Sequence, residues 1–160
     1  MLVGNLMRAL PLSLALMAPA ALAEGPVGRV SCPAGTVQTG TKTEGLMCSR
    51  VDSKHGRSSA QGPYVAYHPN GKLAVRGQFE NGLKVGTWTF FDEAGVLEST
   101  SEFKDGGWHG QRVRYFPNGK PQRIEEYREG RKNGLVKEFA QDGRVLSQVQ
   151  YENNRVVSAQ

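Results

Sequence analysis

A chain of 160 residues with 38% hydrophobic content and a net charge of +5 has room for one domain. Its composition excludes both a disordered polyelectrolyte and a protein built mostly of membrane spans. Twenty Gly against 8% aromatic residues argue for many turns and short strands, because Gly costs about 1 kcal/mol inside a helix.

The first predicted element is N-terminal. Arg8 precedes an apolar run from Ala9 to Ala18, followed by Pro19, the small-residue pattern Ala21-Leu22-Ala23, and Glu24. This is the layout of a secretory signal peptide over residues 1–23, cut after Ala23. A membrane anchor fits less well, since Pro11 and Pro19 interrupt a run already shorter than the roughly 20 residues a span needs. The residue immediately after the cut is Glu24 and not Cys, which argues against a lipid anchor. Removing Arg8 with the leader leaves 19 basic against 15 acidic residues, and the expected location is secreted or periplasmic.

Residues 24–61 are rich in Gly, Ser and Thr and hold both cysteines, Cys32 and Cys48. An oxidising compartment favours joining them, and closing the loop they span is worth on the order of 3 kcal/mol in the chain-entropy model. Two isolated Cys without a CxxC or a nearby His pair make a poor metal site. "SCPAGTVQTGTKTEGLMC" therefore reads as a disulfide-closed hairpin and "SKHGRSSAQ" as a connecting loop, together forming a cap on the C-terminal domain.

Residues 62–160 hold an ungapped 24-residue period with units starting at Gly62, Gly86, Gly110 and Gly134. The sixth position is Tyr67, Phe91, Tyr115 and Phe139; the tenth is Gly71, Gly95, Gly119 and Gly143. The eighteenth is Phe79, Phe103, Tyr127 and Tyr151; the twenty-first is Gly82, Gly106, Gly130 and Asn154. "HPN", "DEA", "FPN" and "AQD" before the tenth-position Gly suit a three-residue hairpin loop, a type I turn followed by a left-handed Gly. That loop sets Tyr67 opposite Leu73, Phe91 opposite Val96 or Leu97, Tyr115 opposite Pro121 and Phe139 opposite Val145. Pro121 has no amide donor, which suggests a local edge or bulge. "ENG", "KDG" and "REG" join neighbouring units, so the predicted fold is all-β, an extended antiparallel meander of β-hairpin repeats. The third position, Tyr64, Trp88, Arg112 and Val136, lies an odd number of residues from the sixth. Either a bulge turns one of the two inward or Tyr64 and Trp88 belong to a second face.

The spacing G-x-W-x-x-Y-x-x-x-G-x-L followed by Y-x-x-G, as in Gly86, Trp88, Phe91, Gly95, Leu97, Phe103 and Gly106, resembles the MORN repeat variant of bacterial proteins often labelled YwqK-family antitoxins. Units three and four depart from it at Arg112 and Pro121 and at Val136 and Asn154. The resemblance implies an extended sheet of hairpins, a role in interaction or scaffolding, a toxin partner through the antitoxin label, and membrane-lipid binding through the family name.

No GxSxG, HExxH, P-loop or CxxC pattern occurs, and His55, His68 and His109 fall in turns or loops at different repeat positions. The expectation is a noncatalytic protein without cofactor or metal. Asp92-Glu93 and Glu125-Glu126 read as exposed turn and strand-edge charges, because adjacent strand residues point to opposite faces. Unit two carries Lys104 against Asp92, Glu93, Glu98, Glu102 and Asp105; unit three carries seven basic residues, Arg112 and Arg114 among them, against Glu125, Glu126 and Glu129. Adjacent hairpins of opposite sign suggest cross-strand ion pairs. The sharper reading makes Tyr64, Trp88, Phe90, Arg112 and Arg114 a basic and aromatic binding patch. The expected partner is a protein, the alternatives being an anionic lipid or envelope polymer; export and the small charge argue against nucleic acid. Self-association stays open, because the strand around Tyr151 carries no sequence cap.

Overall fold

The computed structural model describes residues 28–52 and 57–159. The signal peptide expected over residues 1–23, and His55, lie outside the described residues. Twelve strands form one antiparallel sheet with no helix among the described residues. They are β1 (Val37–Thr41), β2 (Gly45–Asp52), β3 (Arg57–Tyr67), β4 (Leu73–Glu80), β5 (Leu83–Phe91), β6 (Leu97–Lys104), β7 (Gly107–Tyr115), β8 (Pro121–Arg128), β9 (Arg131–Lys132), β10 (Gly134–Phe139), β11 (Val145–Glu152) and β12 (Arg155–Ala159). Spatial order follows chain order from β1 to β12, except that β9 pairs only with β8. β9 and β10 together hold the place that β5 and β7 fill as single strands, with the break at Asn133.

The tenth-position turns form as their chemistry requires. His68 donates its amide to the Lys72 carbonyl at 2.8 Å, Gly71 donates to the His68 carbonyl at 2.8 Å, and Gly71 has φ +82. Asp92, Phe116 and Ala140 open the same turn in the later units. Tyr67 pairs with Leu73, Phe91 with Leu97, Tyr115 with Pro121 and Phe139 with Val145. A register shift precedes the aromatic in every unit, so the bulge beside Pro121 belongs to the repeat and is not caused by the missing amide.

The inter-unit turns are two-residue hairpins with both corners left-handed: Asn81 and Gly82, Asp105 and Gly106, Glu129 and Gly130, Asn153 and Asn154. Positive φ at both corners matches the twist of the flanking strands. Asn154, at φ +69, tolerates this region nearly as Gly does, and its Oδ1 accepts the Lys132 amide at 2.7 Å. The departure of unit four from the repeat pattern therefore leaves the turn intact.

Successive turns also bond to one another along both edges. The amides of Gly82, Gly106, Gly130 and Asn154 donate to the carbonyls of Ala60, Lys84, Trp108 and Lys132. On the opposite edge, Asn70 Nδ2 donates to the Glu93 carbonyl at 2.7 Å and Lys72 Nζ to the Ala94 carbonyl at 2.8 Å. Asn118 and Lys120 make the equivalent bonds to Gln141 and Asp142. The Asn and Lys of "PNGK" in units one and three thus clasp the turns of units two and four. Asn118→Ala removes this bond and the acceptor for the Lys120 amide; it is expected to lower stability by about 1 kcal/mol, read as a lower denaturant midpoint at unchanged slope.

At the N-terminal side, Cys32 and Cys48 are bridged, and Cys48 is fully buried. β1 and β2 form a hairpin, and β2 pairs with β3. An added Cβ at Gly62 would meet the Pro33 ring at 2.9 Å, so the chain before β1 lies against the first repeat. Two expectations change here. Arg57–Gln61 is part of β3 and not of a loop, because its backbone pairs with β2. Tyr151 is not on the last strand, because β11 pairs onward with β12.

Candidate functional site

Paired residues in an antiparallel sheet share a face, and alternate residues along a strand return to it. Tyr64 pairs with Gly77, Trp88 with Ser101, Ser101 with Arg112, and Arg112 with Glu125. These residues form one row across one face. On the same face, Phe79 pairs with Lys84, Phe103 with Trp108 and Tyr127 with Lys132. Tyr67, Phe91, Tyr115 and Phe139 lie on the other face, where Arg76 sits over the Phe91 ring at 5.6 Å and Thr100 Oγ1 lies 3.4 Å from the Tyr115 hydroxyl. Ordinary strand alternation thus resolves the third position into a second face, without a bulge turning either residue inward.

The Trp88 face is the better packed. Trp88 is 2% exposed, with ring centroids of Tyr64 and Phe79 at 5.1 Å and of Phe103 at 6.1 Å. The indole lies across Gly77, where an added Cβ would come within 2.3 Å of the ring; only a residue without a side chain lets Trp88 reach Tyr64. The β1–β2 hairpin closes the far side of Tyr64, whose hydroxyl donates to the Glu44 carbonyl at 3.2 Å. Burial raises the Tyr64 pKa above its ordinary value. Lys84 Nζ stands 4.2 Å over the Trp88 ring and 5.3 Å from that of Phe103, a cation on the negative faces of two rings.

Unit three replaces this stack with charge. Where units one and two have Gly77 and Ser101, it has Glu125, 7% exposed. Lys132 Nζ lies 2.9 Å, Arg123 Nε 3.2 Å and Arg112 Nη1 3.7 Å from the carboxylate oxygens. Arg123 also pairs with Glu138, and Arg112 rests over the Trp108 ring at 5.0 Å. Burial works to raise the Glu125 pKa, but the hydrogen bond and charge of Lys132 and the charges of Arg123 and Arg112 outweigh it and hold the carboxyl below its ordinary value. A depressed carboxyl stabilises the fold above its unfolded pKa, and that contribution is lost as pH falls through the lower folded value. Acid titration below about pH 4.3 is therefore expected to lower the denaturation midpoint, and Glu125→Gln to flatten that limb while lowering stability at neutral pH.

Glu125 was expected at an exposed strand edge and is buried, because cations above and beside it compensate its desolvation. The opposite-face premise stands: Glu126 points the other way and accepts the Leu135 amide at 3.3 Å. The expected ion pairs between units two and three do not form among the described residues. β6 sets Ser99 opposite Arg114 and Ser101 opposite Arg112, and Arg112 and Arg123 turn instead to Glu125 and Glu138 of units three and four. His68 is half-buried and donates its ring Nε2–H to the Phe91 carbonyl at 2.8 Å. No cluster of metal-ligating side chains occurs among the described residues.

The five patch residues share the Trp88 face, with different roles. Trp88 is a buried floor, Tyr64, Phe90 and Arg112 are half-buried, and Arg114 is exposed. Phe90 and Arg112 line a shallow groove of about 280 Å³ together with Lys84, Ser99, Ser101 and Trp108, and no carboxylate among the described residues enters its wall. Lys84 and Trp108 were missed in the sequence, although the two-residue turns "ENG" and "KDG" place each opposite an eighteenth-position aromatic.

The sequence model of the MORN repeat variant matches residues 60–81, 84–105, 108–129 and 132–153. No curated protein matches the chain. Among solved structures, a chain of the Glycosylation Associate Protein (Gap123) complex from Streptococcus agalactiae is 22% identical with a TM-score of 0.39, over 69% of this chain and 20% of that chain. The four matched segments keep the 24-residue period and together cover more than half of the sequence: the protein belongs to the MORN repeat variant family.

Proposed function

We propose that the protein is a noncatalytic interaction module of the cell envelope that binds a protein partner on its Trp88 face. One observation carries this reading: Tyr64, Trp88, Phe90, Arg112 and Arg114 share one sheet face, on which Phe90 and Arg112 line an open groove. Half-buried aromatic residues and arginine are the side chains that dominate binding energy in protein interfaces. Export is supported by the leader-like residues 1–23 and by the Cys32–Cys48 bridge, which suits an oxidising compartment. Residues 24–61 serve as the cap of a repeat domain over residues 62–160. The antitoxin label makes a toxin one partner to look for.

A tagged chain used to capture partners from the envelope fraction tests this. The expected result is one stoichiometric protein, retained by Lys137→Glu on the opposite face and lost in Arg112→Glu with Arg114→Glu. A second reading, binding of anionic lipid or envelope polymer, is favoured only by Arg114, which is exposed and forms no ion pair among the described residues. Salt-sensitive recovery of lipid or polymer without protein would put it first.

A further inference from the structure

The sixteenth position of the repeat sits between the third-position residues of successive strands. In unit one it is Gly77 and the Trp88 indole fills it; in unit three it is Glu125 and its own carboxylate fills it. In unit two it is Ser101, a small buried residue between Trp88 and Arg112. Arg112 therefore has a carboxylate on its β8 side, at 3.7 Å, and only a serine on its β6 side, where the groove opens. A guanidinium offers five donors in a planar fork, and the Trp108 ring beneath holds that plane in place. Across the groove stands Lys84, which forms no ion pair among the described residues. Ser99 and Ser101 contribute hydroxyls to the wall, and Phe90 and Trp108 contribute apolar surface.

We infer that this groove is a seat for a carboxylate side chain, Asp or Glu, of the partner protein, held between Lys84 and Arg112 as Glu125 is held on the other side of Arg112. The inference rests on the protein-binding reading above and specifies it. Charge complementarity selects the occupant: a wall with two cations, hydroxyls and no acid among the described residues attracts an anion and orients it by charge-assisted hydrogen bonds. An anionic membrane suits the site less well. Surface-binding segments present some 4–8 basic residues to the lipid, whereas here Lys84 lies down on two rings and Arg123 and Lys132 are engaged by Glu125 and Glu138.

The test uses the full chain and follows the indole N–H signal of Trp108 and the Nε–H signal of Arg112 by NMR. The probes are N-acetyl-Phe-Glu-amide, its Gln counterpart, inorganic phosphate, and vesicles of equal parts phosphatidylcholine and phosphatidylglycerol. The Glu probe is expected to shift both signals and to bind roughly tenfold tighter than the Gln probe, the ratio one charge-assisted hydrogen bond supplies. Lys84→Gln should reduce that preference several-fold while leaving the Trp108 signal of the free protein in place. Equal responses to the Glu and Gln probes would overturn the proposal, as would a stronger response to phosphate or vesicles. The wild-type comparison needs no variant to fold. A captured partner that Lys84→Gln retains, together with equal probe responses, would remove the seat and leave the interaction module standing.

Discussion

Trp88→Ala is expected to lower the free energy of unfolding by about 3–5 kcal/mol, the cost of emptying a buried aromatic site. The indole touches the rings of Tyr64, Phe79 and Phe103 and is 2% exposed, so its loss opens a void spanning units one and two. Few of the described residues are so buried, and all of their strands belong to one sheet. Gly77→Ala attacks the same contact from below: its Cβ would stand 2.3 Å from the ring, and overpacking of this kind costs about 1–3 kcal/mol. Trp88→Phe should be milder, because it keeps an aromatic floor and removes an indole N–H that has no hydrogen-bond partner among the described residues. Denaturant unfolding of the three variants would check the ranking; Trp88→Ala unfolding at the wild-type midpoint would deny that the stack holds the repeats together.

Reduction of the Cys32–Cys48 bridge is expected to cost about 3 kcal/mol, from the added freedom of the unfolded loop. Its effect reaches the repeats through geometry. The bridge ties the segment before β1 to β2, Pro33 covers Gly62, and the β1–β2 hairpin covers Tyr64. Cys48→Ser should act similarly, with the further cost of a hydroxyl in a fully buried site. Thermal unfolding with and without reductant measures the difference, and equal melting temperatures would rule out the capping role.

The turns and the register were legible in the sequence because both are local. A left-handed Gly four residues after an aromatic fixes a three-residue loop, and that loop fixes which residues face each other. Facing was harder, since strand alternation forces the sixth and third positions apart while both carry aromatics in units one and two. The residue that decides the site is at the sixteenth position, where Gly77, Ser101, Glu125 and Val149 share no chemistry and give no periodic signal. Glu125 looked exposed because its three cations come from three places in the chain, Arg112, Arg123 and Lys132. The clasps made by Asn70 and Lys72 were hidden for the same reason: the carbonyls they reach belong to the next unit's turn. The Pro-Asn pair was visible as a turn former, but its link to the neighbouring turn appears only once the sheet is assembled.

The Trp88 face is expected to bind a protein, and the Tyr67 face is not. Capture from the envelope fraction with wild type, with Arg112→Glu plus Arg114→Glu, and with Lys137→Glu tests this most directly, provided all three unfold at comparable denaturant concentrations. One stoichiometric protein is predicted with wild type and Lys137→Glu, and none with the double variant. Equal recovery with all three, or loss only with Lys137→Glu, would contradict binding through the Trp88 face.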